Sequence, residues 1–226
     1  MALNLRYGRR RRKAFLTNTL AIVQKIKELY PNPQTELVHG NEFQMFVAVQ
    51  LSAQTTDKKV NQITAHLFKK YKTWSHLANA KLEELQADIR GVNFHLGKAQ
   101  RLIKAAQYVI ARHNGVLPRK LGALVKIPGI ARKSANVLLQ ELWGISEGIV
   151  VDTHVTRVAN ILGLTKHKEP VKIEQDLMKL IPKAYWRNFS GAVVLHGRYI
   201  CIANKPKCYD CGLRLLCPVG SKLPTR

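Results

Sequence analysis

All four cysteines of the chain lie between residues 201 and 217, in the run CIANKPKCYDCGLRLLC, with six, two and five residues between them. Cys201, Cys208, Cys211 and Cys217 on so short a stretch are candidate metal ligands. Disulfides would need an oxidising compartment, and no secretory signal supports one. A zinc site more often shows two close cysteine pairs, and here only Cys208 and Cys211 form one. Four thiolates on one compact loop equally suit an iron–sulfur cluster, so spacing leaves zinc and a 4Fe-4S cluster both open. A loop of about 17 residues has little core of its own, and a metal would take the place of one. Between Cys201 and Cys208 stand Lys205 and Lys207. Anchored at both ends, that loop would hold the two lysines against a phosphate backbone; a solvated basic loop fits the charge equally well.

A second candidate is Lys133, in KIPGIARKSANVLLQELWG (126–144). A helix, a Pro-Gly turn and a second helix turn backbone N–H groups outward at a tight corner. The amides and dipole of a helix N-terminus favour a phosphate there. Glycine at 129 allows close approach, and the grip reads backbone rather than bases. Pro128, Gly129, Ile130, Ala131 and Arg132 are therefore candidate DNA contacts. Lys133 falls in the first turn of the second helix, where the dipole disfavours a cation. Arg132 beside it adds like-charge repulsion, so the position favours a neutral, nucleophilic amine. By position alone, a phosphate-binding lysine remains the alternative.

Asp152, in VVDTHVTRVANILG, follows a short apolar run and precedes a helical pattern. An N-cap role fits it well. A cap does not exclude a second role, since a carboxylate at a helix start facing a basic groove can assist proton transfer.

These residues sit in a chain of 226 residues with 37 Lys+Arg against 14 Asp+Glu, a formal charge of +23. Six basic residues crowd the opening (Arg6, Arg9, Arg10, Arg11, Arg12 and Lys13); removing them from +23 leaves +17, so the folded body is basic too. Such a charge favours a polyanionic partner, nucleic acid first and an anionic membrane surface second. No apolar run spans a bilayer. The start resembles a secretory signal only superficially, because Thr17, Asn18 and Thr19 break the apolar run and no cleavage pattern follows. A mitochondrial transit peptide is a weaker rival to a basic arm over residues 1–13.

The positioning elements read as helices almost throughout. Leu16, Leu20, Val23 and Leu29/Tyr30 line one face, ending at Pro-Asn-Pro (31–33). A second face, Phe43 to Leu51, follows the candidate cap Asn41; a third runs from Val60 to Tyr71. Shorter helices cover Leu82–Ile89 and the run into Pro128. A longer one spans Ala99–Ile110 and stops at Asn114-Gly115. Further helices are expected over 131–143, 153–163, 170–181 and 184–200, the third opened by Pro170. GIVV (148–151) is too short for a strand, and the fold class is all-α.

Together these stretches resemble the endonuclease III family of DNA glycosylases. LSAQTTD (51–57), IPGIARKSANVLL (127–139), VDTHVTRV (151–158), LHGRYICIANKPKC (195–208) and the cysteine spacing match that family's markers in order. The resemblance implies two helical domains flanking a DNA-binding groove. One is a six-helix barrel with a helix-hairpin-helix over 35–145; the other is a discontinuous iron–sulfur domain from 14–34 and 146–226. It implies Lys133 as nucleophile, Asp152 as catalytic carboxylate and a 4Fe-4S cluster on the four cysteines. Gln54 would fill the gap left by a flipped nucleotide, and NFHLGKA (93–99), with Phe94, His95 and Leu96, would form a second wedge. The activity implied is a bifunctional glycosylase and abasic-site lyase acting on oxidised pyrimidines in double-stranded DNA. The expected form is a monomer, cytoplasmic and nucleoid-associated. Two departures stand out: Ala131 replaces the hairpin's usual second glycine, and Phe94-His95-Leu96 differ from the usual wedge. A non-catalytic DNA-binding module with the same hairpin is the alternative function, and it would form no covalent adduct.

Overall fold

The computed structural model describes residues 2–224, with side chains from residue 15 onward. Eleven α-helices and four short 3-10 turns account for the regular structure of the described residues, with one isolated bridge, Arg90 to Val92, in place of any strand. The chain forms two compact units, Thr35–Glu147 and the discontinuous pair Met1–Gln34 with Gly148–Arg226.

In the continuous unit, α2 (Glu42–Leu51) starts at Asn41, whose side chain accepts from the Gln44 amide at 2.9 Å. Its residues from Met45 to Leu51 are all buried, so it runs through the core rather than along its edge. Around it lie α3 (Asp57–Lys70), α4 (Trp74–Ala78), α5 (Leu82–Asp88), α6 (His95–His113), α7 (Leu121–Leu124) and α8 (Arg132–Trp143). Here α2 packs on α8, and α4 on α6. The segment α4 shows no helical period in the sequence. It has five residues, too few to display a period, and holds its place through a Thr73 cap, buried Leu77 and Trp74 edge-on to Phe43 and Phe46. Asn114, with φ +50°, ends α6 as the Asn-Gly pair indicated.

The discontinuous unit joins α1 (Ala2–Leu29) to α9 (Thr153–Ile161), α10 (Pro170–Leu180) and α11 (Trp186–Tyr199). Ile22, Val23 and Ile26 of α1 share a core with Val155, Val158, Ile173, Leu177, Phe189 and Val193. The arm expected over 1–13 is helical from Ala2 and continuous with α1, and its six basic side chains lie outside the described residues. The cysteine run follows α11 with two 3-10 turns, Cys208–Asp210 and Arg214–Leu216, pinned to the core by buried Leu213 and Cys217. No described helix is long and apolar enough to cross a membrane.

Candidate active site

The hairpin is the short α7, a turn through Pro128 and Gly129, and α8. Gly129 has φ +83°, a conformation that penalises any Cβ. A Cβ there would also meet the Gln50 side-chain oxygen at 2.9 Å. Buried Gln50 donates from Nε2 to the Pro128 carbonyl at 2.9 Å, fixing the turn from inside. Ile130 serves the hairpin from within as well. Its side chain is in the core and its amide bonds the Ile127 carbonyl at 3.1 Å. Ala131 is the N-cap of α8, in ordinary extended backbone (φ −86°), so alanine fits this turn without strain. Alanine at the N-cap supplies no side-chain cap to α8. Gly129, Ala131, Arg132 and Lys133 are all exposed at this corner, and Pro128 is half-buried.

Asp152 is the N-cap of α9, with Oδ1 accepting from the Val155 amide at 2.8 Å. It is half-buried, and the cap requires only one of its two carboxylate oxygens.

Two loops of the continuous unit carry the wedge candidates. Gln54 (φ +56°) and Phe94 (φ +58°) are both left-handed, uncommon for residues with a side chain. Gln54, Phe94 and Leu96 are exposed and His95 is half-exposed. Asn93 Nδ2 donates to the Gln54 carbonyl, and the Asn93 amide donates to Thr55 Oγ1 at 3.2 Å, so the loops are tied together. Beneath them Lys98 is only 5% exposed. Its Nζ donates to the carbonyls of Leu51 (2.7 Å) and Ala53 (2.6 Å) and to Thr55 Oγ1 (3.3 Å). Burial, with a smaller push from Arg101, brings its pKa down to about 8. With its three donors engaged and the amine enclosed, Lys98 is not placed to attack a ligand.

In the discontinuous unit, Cys201, Cys208, Cys211 and Cys217 line one cavity of about 160 Å³. Among the described residues no three His, Cys, Asp or Glu side chains converge on the position of a single ion. Four thiols on one cavity wall are a donor set that suits a zinc ion or an iron–sulfur cluster. Burial raises the Cys201 and Cys211 thiols above the ordinary thiol range. His196, also on the cavity wall, has its Nε2 3.6 Å from Cys211 Sγ and its Nδ1 3.2 Å from the Tyr30 hydroxyl. Burial pushes it down to about 4, so it is a neutral imidazole near pH 7. Arg157 bonds the carbonyls of Gly197 and Cys201, and the Lys207 amide bonds the Ile200 carbonyl, closing the loop that exposes Lys205 and Lys207.

A hairpin with an uncapped helix, an exposed lysine just past it and four cysteines around one cavity are the features to compare with known proteins. The profile of the HhH-GPD superfamily base excision DNA repair protein matches residues 47–183. Endonuclease III of Synechocystis is 42% identical over 193 residues, covering 85% of this chain and 88% of its own. A trapped endonuclease III–DNA covalent intermediate with an estranged adenine superposes with a TM-score of 0.83 at 39% identity, over 88% of this chain and 94% of that one. A non-covalent endonuclease III–DNA complex gives 0.86 at 38% identity, over 92% and 97%. The chain belongs to the endonuclease III family. It is a base excision DNA glycosylase with abasic-site lyase activity, and DNA is its partner.

Of the residues that organise this family member's loops, Gln50, Asn93, Thr55, Lys98 and His196 escaped the sequence reading. The available signal was a polar residue inside an apolar helical stretch, as in VAVQL for Gln50 and LGKAQ for Lys98.

Proposed function

We propose that this chain acts as a monomer on duplex DNA, removing oxidised pyrimidines with Lys133 as the nucleophile and then cutting the strand. The observation that carries the reading is the setting of Lys133: exposed, in the first turn of a helix that no side chain caps, directly past the glycine turn. A protein 39% identical to this one has been trapped as a covalent intermediate with DNA, which supports the same chemistry here.

The target nucleotide leaves the stack at a cost of about a few kcal/mol. Gln54 fills the gap, and Phe94, His95 and Leu96 press on the opposite side. The amides around Gly129 and Ala131, with Arg132, hold phosphate. Lys205 and Lys207 add contacts from the cysteine loop. The Lys133 amine forms a bond to C1′ as the C1′–N bond to the base breaks, and the base leaves with the electron pair. Asp152 stabilises the cationic sugar and accepts the proton shed by the new amine. Ring opening gives a protonated imine, which acidifies C2′–H. Loss of that proton expels the 3′ phosphate with the C3′–O electron pair, and water then hydrolyses the imine to free Lys133. Cys201, Cys208, Cys211 and Cys217 would hold a 4Fe-4S cluster, which when bound supplies a structural staple for the loop carrying the two lysines.

Lys133→Gln tests the assignment. It keeps length and hydrogen bonding, so abasic DNA is expected to bind within about tenfold, one cation among many contacts being lost. No borohydride-trapped adduct and no β-elimination product is expected. A wild-type yield of trapped complex from the variant would place the nucleophile elsewhere. A wild-type protein giving no adduct would instead favour a binding module.

A further inference from the structure

Lys98 is an expensive residue to keep where it is. An ammonium only 5% exposed loses most of its hydration, and packing α6 alone would be served better by an apolar side chain. Its position is explained by what it holds. The three acceptors of Nζ belong to residues 51, 53 and 55, so its bonds bracket Gln54 on both sides. Gln54 is one of three non-glycine residues with positive φ among the described residues, and Phe94 is another. Left-handed backbone at an L residue persists only where its surroundings enforce it. Here the enforcement is a continuous set of bonds. Lys98 holds the segment from Leu51 to Thr55, Thr55 receives the Asn93 amide, and Asn93 grips the Gln54 carbonyl. Lys98 also bonds back through its own amide to the Phe94 carbonyl at 3.0 Å. The buried side chain therefore holds the Gln54 loop directly and reaches the Phe94 loop through Thr55 and Asn93, while Gln54 itself stays exposed.

We propose that Lys98 is a positioning residue that pre-sets the Gln54 loop, and through Asn93 the Phe94 loop, for insertion into opened duplex. The inference rests on the reading that Gln54 fills the gap beside a flipped nucleotide. A loop held in its inserting shape before binding avoids the ordering cost at the moment of contact. Released, it would populate that shape only in part, and apparent affinity would fall by the same fraction.

The test compares two duplexes, one containing a stable abasic analogue and one undamaged, because only the first has a gap to fill. Lys98→Met keeps the length of the side chain and removes its donors. Asn93→Ala cuts the loop-to-loop tie at an exposed position, and carries the same comparison if Lys98→Met does not fold. Each is expected to weaken abasic-duplex binding by roughly tenfold, as for a loop competent about a tenth of the time, and to leave undamaged-duplex binding within about twofold. Combined with Gln54→Ala, neither is expected to weaken binding beyond the stronger single variant, since both act through one loop. Equal losses on both duplexes, or losses that multiply in the double variants, would reduce Lys98 to a cap on the end of α2 and overturn the proposal. The underlying reading fails separately and visibly, if Gln54→Ala alone binds the abasic duplex like wild type.

Discussion

Asp152 uses one oxygen to cap α9 at 2.8 Å, so substitution can separate the cap from the charge. Asparagine caps about as well as aspartate. Asp152→Asn is therefore expected to unfold within about 0.5 kcal/mol of wild type in urea, while base removal slows by at least about 100-fold through loss of the proton acceptor. Trapping on a preformed abasic site is expected to survive in part, because that aldehyde needs less activation. Unchanged base release would remove Asp152 from the chemistry. The positions of such residues stand out in the sequence, Asp152 before a helical run, Lys133 after Pro-Gly and four cysteines within one loop, while their roles are implied by the family resemblance. Gln50 and Lys98 do not stand out, because their roles lie in partners 78 and 47 positions away. His196 meets Cys211 only once the cysteine loop has closed back on α11. Nothing in a linear pattern marks a buried amine as the support of a distant turn.

Elements follow the same division. The apolar period marked the long helices, and Asn41, Asn114 and Pro170 marked their ends, because caps and breakers act within a few residues. The five-residue α4 gave no period, and it exists because Trp74 and Leu77 have a core to enter. The N-terminus of α8 is the element whose design departs from stability. Ala131 occupies an N-cap where Ser, Thr, Asp or Asn would be favoured, and its methyl group caps none of the first amides of the helix. Ala131→Ser supplies an oxygen for those amides, and is expected to stabilise the protein by about 1 kcal/mol in thermal or urea melts. The same oxygen competes with phosphate for the same donors, so abasic-duplex affinity is expected to fall while stability rises. Stabilisation with unchanged affinity would show that the amides of α8 do not carry the phosphate contact.

At the scale of the molecule, the discontinuous unit is expected from the family resemblance alone, since composition and period do not pair its two segments. Pro-Asn-Pro (31–33) marks the first break, but nothing in the pattern pairs the two outer segments; the shared core of α1 with α9, α10 and α11, and bonds such as Asn188 Nδ2 to the Tyr30 carbonyl at 3.0 Å, join the chain's two ends. Within that unit the cysteine loop contributes Leu213 and Cys217 to the core and otherwise surrounds a cavity, so a bound cluster would replace packing. Anaerobically purified protein is expected to contain iron and absorb in the visible, and Cys211→Ala to lose the absorbance and melt at lower temperature; iron near zero in the wild type would remove the cluster. Charge is the other global property. Of the formal +23, six charges lie in residues 1–13 and the body keeps the rest. The described side chains that α1 gives to the core, Thr19, Ile22, Val23 and Ile26, all lie beyond residue 13, so deleting 1–13 leaves them in place. Each phosphate contacted contributes roughly 0.9 to the slope of log affinity against log salt. The deletion is then expected to flatten that slope by no more than about 5, and most where all six side chains meet phosphate. Because such contacts read no bases, the ratio of abasic-site to undamaged-duplex affinity is expected to stay constant across the deletion. Titrations of both proteins on both duplexes from low to moderate salt measure the two quantities together. An unchanged slope would mean that the first 13 residues do not meet DNA, and a changed ratio would mean that they reach the lesion itself.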